Sequence, residues 1–331
     1  MAGRRFGSDV PALVALARDG DPRAVARLSS LVENGSPALR EVAAALAPHT
    51  GRARVIGVTG SPGVGKSTST SVLVRALRAR GARVGVLAVD PSSPFSGGAL
   101  LGDRVRMQDH ATDSQVFIRS MASRGHLGGL ASATPQAVRV LDAAGCDVVL
   151  IETVGVGQAE VEVASTADTT LVLLAPGMGD AIQAAKAGIL EVADVYVVNK
   201  ADRDGADAVV RDLRHMLSLG DASPGSGGWR PPIVRTIASQ GEGVGELVAA
   251  VDAHVDWLTA TGELGRRRQD RASAEIEALA VAAIRSRIGD VHRSAALGTL
   301  ASQVVAGATD PYAAADELVR ALTGVGDGNA G

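Results

Sequence analysis

Nine consecutive residues, Gly60, Ser61, Pro62, Gly63, Val64, Gly65, Lys66, Ser67 and Thr68, fit the G-x-x-x-x-G-K-[ST] phosphate-binding loop. That loop works only where a buried strand runs into it and a helix leaves it, and both flanks are present. The run Val55–Thr59 is apolar, and Ser67–Arg80 sets Val72, Leu73, Ala76 and Leu77 on one helical face before stopping at Gly81. In such a unit the glycines let backbone N–H groups converge on phosphates, and the helix N-terminus adds partial positive charge. Lys66 can then reach β and γ oxygens, and the Ser67 hydroxyl can hold Mg²⁺. The implied ligand is a nucleoside triphosphate.

The rest of the chain reads as the sheet such a unit requires. Apolar runs at Val55–Thr59, Arg83–Val89, Val148–Glu152, Thr170–Ala175, Val195–Asn199 and Ile233–Ala238 alternate with helical spacing. The pattern predicts an α/β fold, a mainly parallel P-loop NTPase sheet with helices on both faces. Thr134 followed by Pro135 is an N-cap and first-turn signature for the helix leading into the third strand. Residues 9–48 show helical spacing broken at Gly20-Asp-Pro and Asn34-Gly-Ser-Pro, which predicts three short helices. Beyond Gly262 helical spacing covers 266–288, with Ile276, Leu279, Ala280 and Ile284 on one stripe, and again Pro311–Leu322; the tail from Gly324 reads as frayed. That stripe must be buried on the core or against another subunit. The expected organisation is an N-terminal helical extension over 1–50, a P-loop domain over 51–262 and a C-terminal helical segment over 263–331. The loop Asp221–Gly228 has no assigned chemistry.

Composition narrows the partners. At 331 residues and 46% hydrophobic the chain can bury one sizeable core, but with 2% aromatics that core must be built from Ala, Val and Leu. A net charge of −3 offers no electrostatic case for nucleic acid. Cys146, the single cysteine, excludes an internal disulfide and a cysteine metal cluster, as suits a reducing cytoplasm. Asp9, Pro11, Arg18 and Asp19 interrupt any secretory signal near Arg4 and Arg5, and no stretch approaches the ~20 apolar residues of a membrane span. The expectation is a cytoplasmic protein with no membrane partner.

Asn199-Lys200-Ala201-Asp202 follows an apolar strand and matches N-K-x-D. Asp202 can accept from guanine N1–H and the exocyclic amine, Lys200 can lie along the ring, and Asn199 can tie this loop to the phosphate loop. Adenine leaves that carboxylate unpaired, at roughly 1–3 kcal/mol for each polar group without its partner. Ala238 and Ser239 are placed to complete the base site through backbone N–H; many GTPases carry Ser-Ala where this chain has Ile237-Ala238. Asp90 ends the second predicted strand and Glu152 the third, at the edge where ligands bind in open α/β sheets. Carboxylates there either cap helices or hold Mg²⁺ directly or through its waters. Asp103 lies in a long polar stretch after Ser92 and can join the metal site or orient water, with Arg104 or Arg106 supplying charge. Glu152 to Gln158, with Gly155, reads as a segment ordered by the γ-phosphate. Gly177-Met-Gly-Asp180, followed by Gln183 and Lys186, reads as another mobile segment, in which Lys186 is by sequence alone a surface lysine.

Together these residues resemble the MeaB and ArgK family of GTPases, chaperones of cobalamin-dependent acyl-CoA mutases such as methylmalonyl-CoA mutase. The resemblance runs through Gly60–Thr68, Asp90-Pro-Ser-Ser, Ser96-Gly-Gly98, Leu101-Gly-Asp103, Arg106-Met107, Phe117-Ile-Arg119, Leu127-Gly-Gly129, Glu152-Thr-Val-Gly-Val-Gly-Gln158, Pro176-Gly177, Gly179-Asp180 and Asn199–Asp202. The heptapeptide from Glu152 to Gln158 is its most specific piece. After Arg119 the chain departs from the commoner Pro-containing version, carrying Ser120-Met-Ala-Ser instead. The resemblance implies Mg²⁺-dependent hydrolysis of GTP to GDP, no tightly held organic cofactor, and a homodimer arranged through the C-terminal helices. It further implies that GTP turnover gates adenosylcobalamin loading and is accelerated by the mutase. On this basis Lys66, Ser67, Asp90, Asp103 and Glu152 become the phosphate and metal set. Asp180 and Lys186 become part of a switch linking partner to hydrolysis. Two other readings compete: a nickel-delivery metallochaperone GTPase, which would usually carry His-rich tracts or paired Cys where this chain has six scattered His and one Cys, and a kinase of a transport protein.

Overall fold

The computed structural model describes residues 9–91, 107–110, 112–123, 133–153, 159–177, 190–220, 228–288 and 295–323. Seven strands make one parallel sheet among them: β1 Arg54–Gly60, β2 Val84–Pro91, β3 Val116–Ser123, β4 Val148–Thr153, β5 Thr169–Leu174, β6 Val195–Asn199 and β7 Ile233–Thr236. Their order is β3-β2-β4-β1-β5-β6-β7. β1 therefore sits centrally, with Val58 opposite Glu152 of β4 on one side and Leu171 of β5 on the other. Because every pair is parallel, all C-terminal strand ends, and the loops that follow them, share one edge.

All six apolar runs are strands, and three details differ from the sequence reading. β3 is additional, so Glu152 lies on the fourth strand of the chain, one residue before its end. β3 carries Arg119 in its middle, and the guanidinium is matched by Glu33, a partner 86 residues away that no local pattern reveals. β7 stops at Thr236, and an isolated antiparallel bridge from Ile237 to Glu242 puts Ala238 and Ser239 in the following turn. Thr134 is the first helical residue of its helix rather than the N-cap; Ala133 holds that place without a side-chain bond, while Pro135 sits in the first turn as expected.

The lead-in forms α1 Val10–Arg18, α2 Pro22–Glu33 and α3 Leu39–Leu46. Asp9 and Asp21 start the first two: Asp9 Oδ1 accepts from Ala12 N at 3.1 Å and Asp21 Oδ1 from Arg23 N at 2.7 Å, each with a proline in the first turn. Leu13, Val25, Leu28 and Val42 of these helices share a core with Leu87, Phe117, Met121 and Val149 of the sheet. Leu141 of α5, Thr134–Ala143, joins the same core. α4 Lys66–Ala79 and α8 Val244–Ala260 cover the opposite face, over Ile56, Val58, Val86, Leu150, Leu171 and Val197. α6 Ala159–Thr166 and α7 Ala206–Gly220 lie on the face of α5, α6 over Val55 and Ile151 and α7 over Val172 and Val198. Gly57 makes room for α6, since a Cβ there would stand 2.2 Å from Val163 Cγ1.

At the N-terminal edge of the sheet, Asp142 of α5 accepts from three successive amides, Gly51 (2.5 Å), Arg52 (3.3 Å) and Ala53 (3.0 Å), and so fixes where β1 begins. His254 of α8 is fully buried there, with Nδ1 2.9 Å from Thr169 Oγ1, and clusters with Trp229 and Trp257.

Two compact units divide the chain, Met1–Gly265 and Arg266–Gly331. Nearly all of α9, Glu263–Ile288, belongs to the second, with α10 Ala295–Val305 and α11 Pro311–Thr323. α10 is a further addition to the sequence reading. α10 and α11 bury Leu300 and Ala314, and Asp310 Oδ1 starts α11 by accepting from Tyr312 N at 2.8 Å. On α9 the stripe of Ile276, Leu279 and Ile284 is exposed, at 68%, 58% and 56%. No described helix is long and apolar enough to cross a membrane.

Candidate functional site

β1 delivers the chain into the phosphate loop, and α4 begins at Lys66. Lys66 Nζ arches back over its own loop, donating to Gly60 O at 2.6 Å and Ser61 O at 3.0 Å. Gly65 must be glycine: its φ is +97°, and a Cβ would stand 2.4 Å from Asn199 Nδ2. Ser67 Oγ donates to Glu152 Oε1 at 2.5 Å, joining the start of α4 to β4. Both residues are buried, Glu152 at 2% and Ser67 at 9% exposure. A buried hydroxyl and carboxylate with their oxygens in contact form a hard donor pair. Mg²⁺ characteristically takes one or two such protein ligands and completes its octahedron with phosphate and water. The main chain of Asp90 lies one place before the end of β2, opposite Ala122 of β3, so β2 brings it to the same sheet edge.

The other half of the site is built on β6 and β7. Asn199 ends β6, is 3% exposed, and bonds to neighbours through both the nitrogen and the oxygen of its amide. Nδ2 donates to Val64 O at 2.8 Å, the tie to the phosphate loop expected from the sequence. Oδ1 accepts from Thr236 Oγ1 and from Ala238 N, both at 3.1 Å. Lys200 adopts φ +57°, a left-handed conformation that costs a non-glycine residue ~1–2 kcal/mol, and its Nζ donates to Gly63 O at 2.7 Å. Ala201 N donates to Thr236 O at 3.1 Å. Phosphate loop, β6 loop and β7 loop are thus one hydrogen-bonded body, from which Asp202 and Ser239 project exposed. Since its N–H is given to Asn199, Ala238 holds the β7 loop in place.

A cavity of about 730 Å³ lies at the opposite edge of the sheet, lined by Arg54, Arg80, Asp142 and Asp252 among others. It includes no residue of either nucleotide motif. Two of its arginines, Arg54 and Arg80, are both on Asp252 at 3.0 and 2.6 Å.

The family described as methylmalonyl Co-A mutase-associated GTPase MeaB matches residues 25–292. The chain belongs to this family. A Pyrococcus abyssi protein named as a GTPase is 46% identical over 314 residues, covering 95% of this chain and 97% of the relative. The methylmalonic aciduria type A homolog of Caenorhabditis elegans, a mitochondrial protein, is 39% identical over 218 residues, covering 65% and 55%. A crystal structure described as LAO/AO transport system kinase superposes with a TM-score of 0.72 at 28% identity, covering 96% of this chain and 98% of that one. This MeaB-family chain is a P-loop GTPase, and GTP and GDP are the nucleotides its site serves.

Several residues singled out in the sequence fall outside the described residues: Asp103, Arg104, Arg106, the segment from Val154 to Gln158, Asp180, Gln183, Lys186 and most of the 221–228 loop, together with the side chain of Asp90. Thr236 was missed. A hydroxyl at the last position of a short strand carries no motif, and only the fold shows Asn199 beside it.

Proposed function

We propose that this GTPase is a chaperone of an adenosylcobalamin-dependent acyl-CoA mutase of the methylmalonyl-CoA mutase type, whose GTP turnover gates cofactor loading and protects the loaded enzyme. The observation that carries the reading is the family match over residues 25–292, whose description names association with that mutase. The Caenorhabditis elegans relative, named for methylmalonic aciduria, supports it.

In this reading Lys66 leaves its loop carbonyls for the β and γ oxygens of GTP, while Asp202 reads guanine. Lys200 and Asn199 hold the base loop, Ala238 anchors the loop after β7 to Asn199, and Ser239 closes the base site. Ser67, Glu152, Asp90 and Asp103 hold Mg²⁺, which supplies neutralisation of the phosphate charge. Asp180 and Lys186 answer the mutase, which supplies order or positive charge worth ~10³–10⁵ in rate for such transfers. The helices of 263–331 pair two copies, burying Ile276, Leu279 and Ile284 of α9, and the protein works in the cytoplasm.

The test is steady-state GTP turnover by the purified full chain with and without the adenosylcobalamin-dependent mutase of the same organism. Acceleration of at least about tenfold, lost in Lys186→Ala, is expected. A rate indifferent to the mutase refutes the chaperone reading.

A further inference from the structure

The cavity at the N-terminal edge of the sheet is built where several elements start or stop. α1 ends there at Arg18, β1 begins there at Arg54, Arg80 follows α4, and Asp252 lines it from α8. Its volume of about 730 Å³ falls in the range of small-molecule sites. Because α4 is 14 residues long, about 20 Å of helix separates this cavity from the phosphate loop. Leu77, Ala143 and Val148, each less than a tenth exposed, give it apolar surface.

Four arginines and four aspartates line the cavity, so formal charge balances, but hydrogen-bonding capacity does not. Three of the carboxylates are already engaged. Asp142 accepts from the amides of Gly51, Arg52 and Ala53, Asp147 from the amide of Arg83 at 2.7 Å, and Asp252 from Arg54 and Arg80 together. The fourth, Asp19, follows Arg18 at the end of α1 and is exposed. Each guanidinium, by contrast, carries five N–H donors in a planar fork. Arg54 and Arg80 give one nitrogen each to the shared carboxylate, and the side chains of Arg18 and Arg52 have no partner among the described residues. Arg18 answers the C-terminal end of its own helix, a role that needs no ligand; Arg52 has no such role. Donors are in excess, and their complement is an anion.

We propose that this cavity is a second binding site, for a small organic anion bearing phosphate or carboxylate groups, with its charge held by Arg18 and Arg52 and its carbon skeleton along Leu77 and Val148. The guanidinium fork matches either group through paired hydrogen bonds. The site stands apart from GTP turnover and from the mutase reading, since none of its residues belongs to the nucleotide motifs.

The experiment is calorimetry on the full chain with the nucleotide site filled by GDP, titrating glycerol 3-phosphate and, separately, citrate. At least one of them is expected to bind once per chain with a Kd of about 1 mM or tighter. Arg18→Ala with Arg52→Ala should weaken that binding at least about tenfold. Arg211→Ala with Arg214→Ala, the same charge change on the exposed side of α7, should leave it within about twofold. Binding of glycerol 3-phosphate alone assigns a phosphate ester, and of citrate alone a polycarboxylate. No saturable binding of either overturns the inference. So does binding that survives loss of Arg18 and Arg52, as an anion lodged in the phosphate loop beside GDP would, or that the two pairs of substitutions weaken equally. A lower unfolding temperature of the Arg18 and Arg52 pair without anion makes the loss structural and overturns it as well.

Discussion

Asn199→Ala removes three hydrogen bonds at once and leaves Val64 O, Thr236 Oγ1 and Ala238 N facing the vacancy. Those residues are 1%, 3% and 3% exposed, so their polar groups have little access to water in the intact fold. A buried group left without its partner costs ~1–3 kcal/mol. Water entering the space left by the amide brings each term to the low end, and the sum is about 3 kcal/mol, roughly a hundredfold in the folding constant. Because the bonds exist in the protein alone, the loss is expected without any nucleotide. Urea unfolding followed by Trp229 and Trp257, the two tryptophans of the chain, reads it directly. GDP affinity is expected to fall as well, since the phosphate and base loops lose their common anchor. A second variant sharpens the test. Thr236→Val removes one of the stranded groups, so Asn199→Ala with Thr236→Val should be less destabilised than the two single losses added, by about 1 kcal/mol. Nucleotide-free Asn199→Ala within about 0.5 kcal/mol of the parent would refute the view that this amide holds the loops together.

Asp202→Ala is expected to cost GTP about ten- to a hundredfold in affinity and to erase its advantage over ATP, measured by competition calorimetry; an unchanged GTP-to-ATP ratio would remove Asp202 from base reading. Gly57→Ala drives a methyl group into Val163 and should cost about 1–3 kcal/mol, partly restored by adding Val163→Ala, as thermal unfolding of the two variants will show. Burial pushes the Cys146 thiol from 9.0 up to about 12, so the folded protein keeps a proton that the unfolded chain loses between those values. Its contribution is intact below pH 9 and declines as pH rises from 9.0 toward 12, by up to about 1.4 kcal/mol per pH unit. Unfolding at pH 8 and pH 10 should therefore drop more steeply for the parent than for Cys146→Ala, and equal slopes would refute the assignment.

What could be read from the chain alone was what is local. The phosphate loop from Gly60 to Thr68 and the tetrapeptide from Asn199 to Asp202 each declare their chemistry within a few residues, and the six apolar runs needed no partner to be recognised as strands. Features that depend on remote partners stayed hidden. β3 carries Arg119 in its middle, and the answering Glu33 sits on α2, where no local pattern points to it. Thr236 acquires meaning only when β6 stands beside it. α10 was missed for a different reason: Ala295–Val305 is mostly small residues around one buried leucine, Leu300, with Gly298 inside, so its helical period is faint. Of the nucleotide site, the Asn199 tie to the phosphate loop was legible because the motif itself places an amide there.

The strand order has a consequence for how this protein is made. β1 leaves the ribosome before either strand that flanks it, since β4 and β5 both follow residue 147, and β2 does not touch it. A nascent chain translated only as far as β2 therefore holds a nucleotide-gripping sequence whose central strand has nothing to pair against. Local helices such as α1 to α3 can form in that interval, while the central strand waits for non-local pairing, which is slow to nucleate. Ligand capture is thereby deferred until translation has passed β5, and guanine discrimination until it has passed β7.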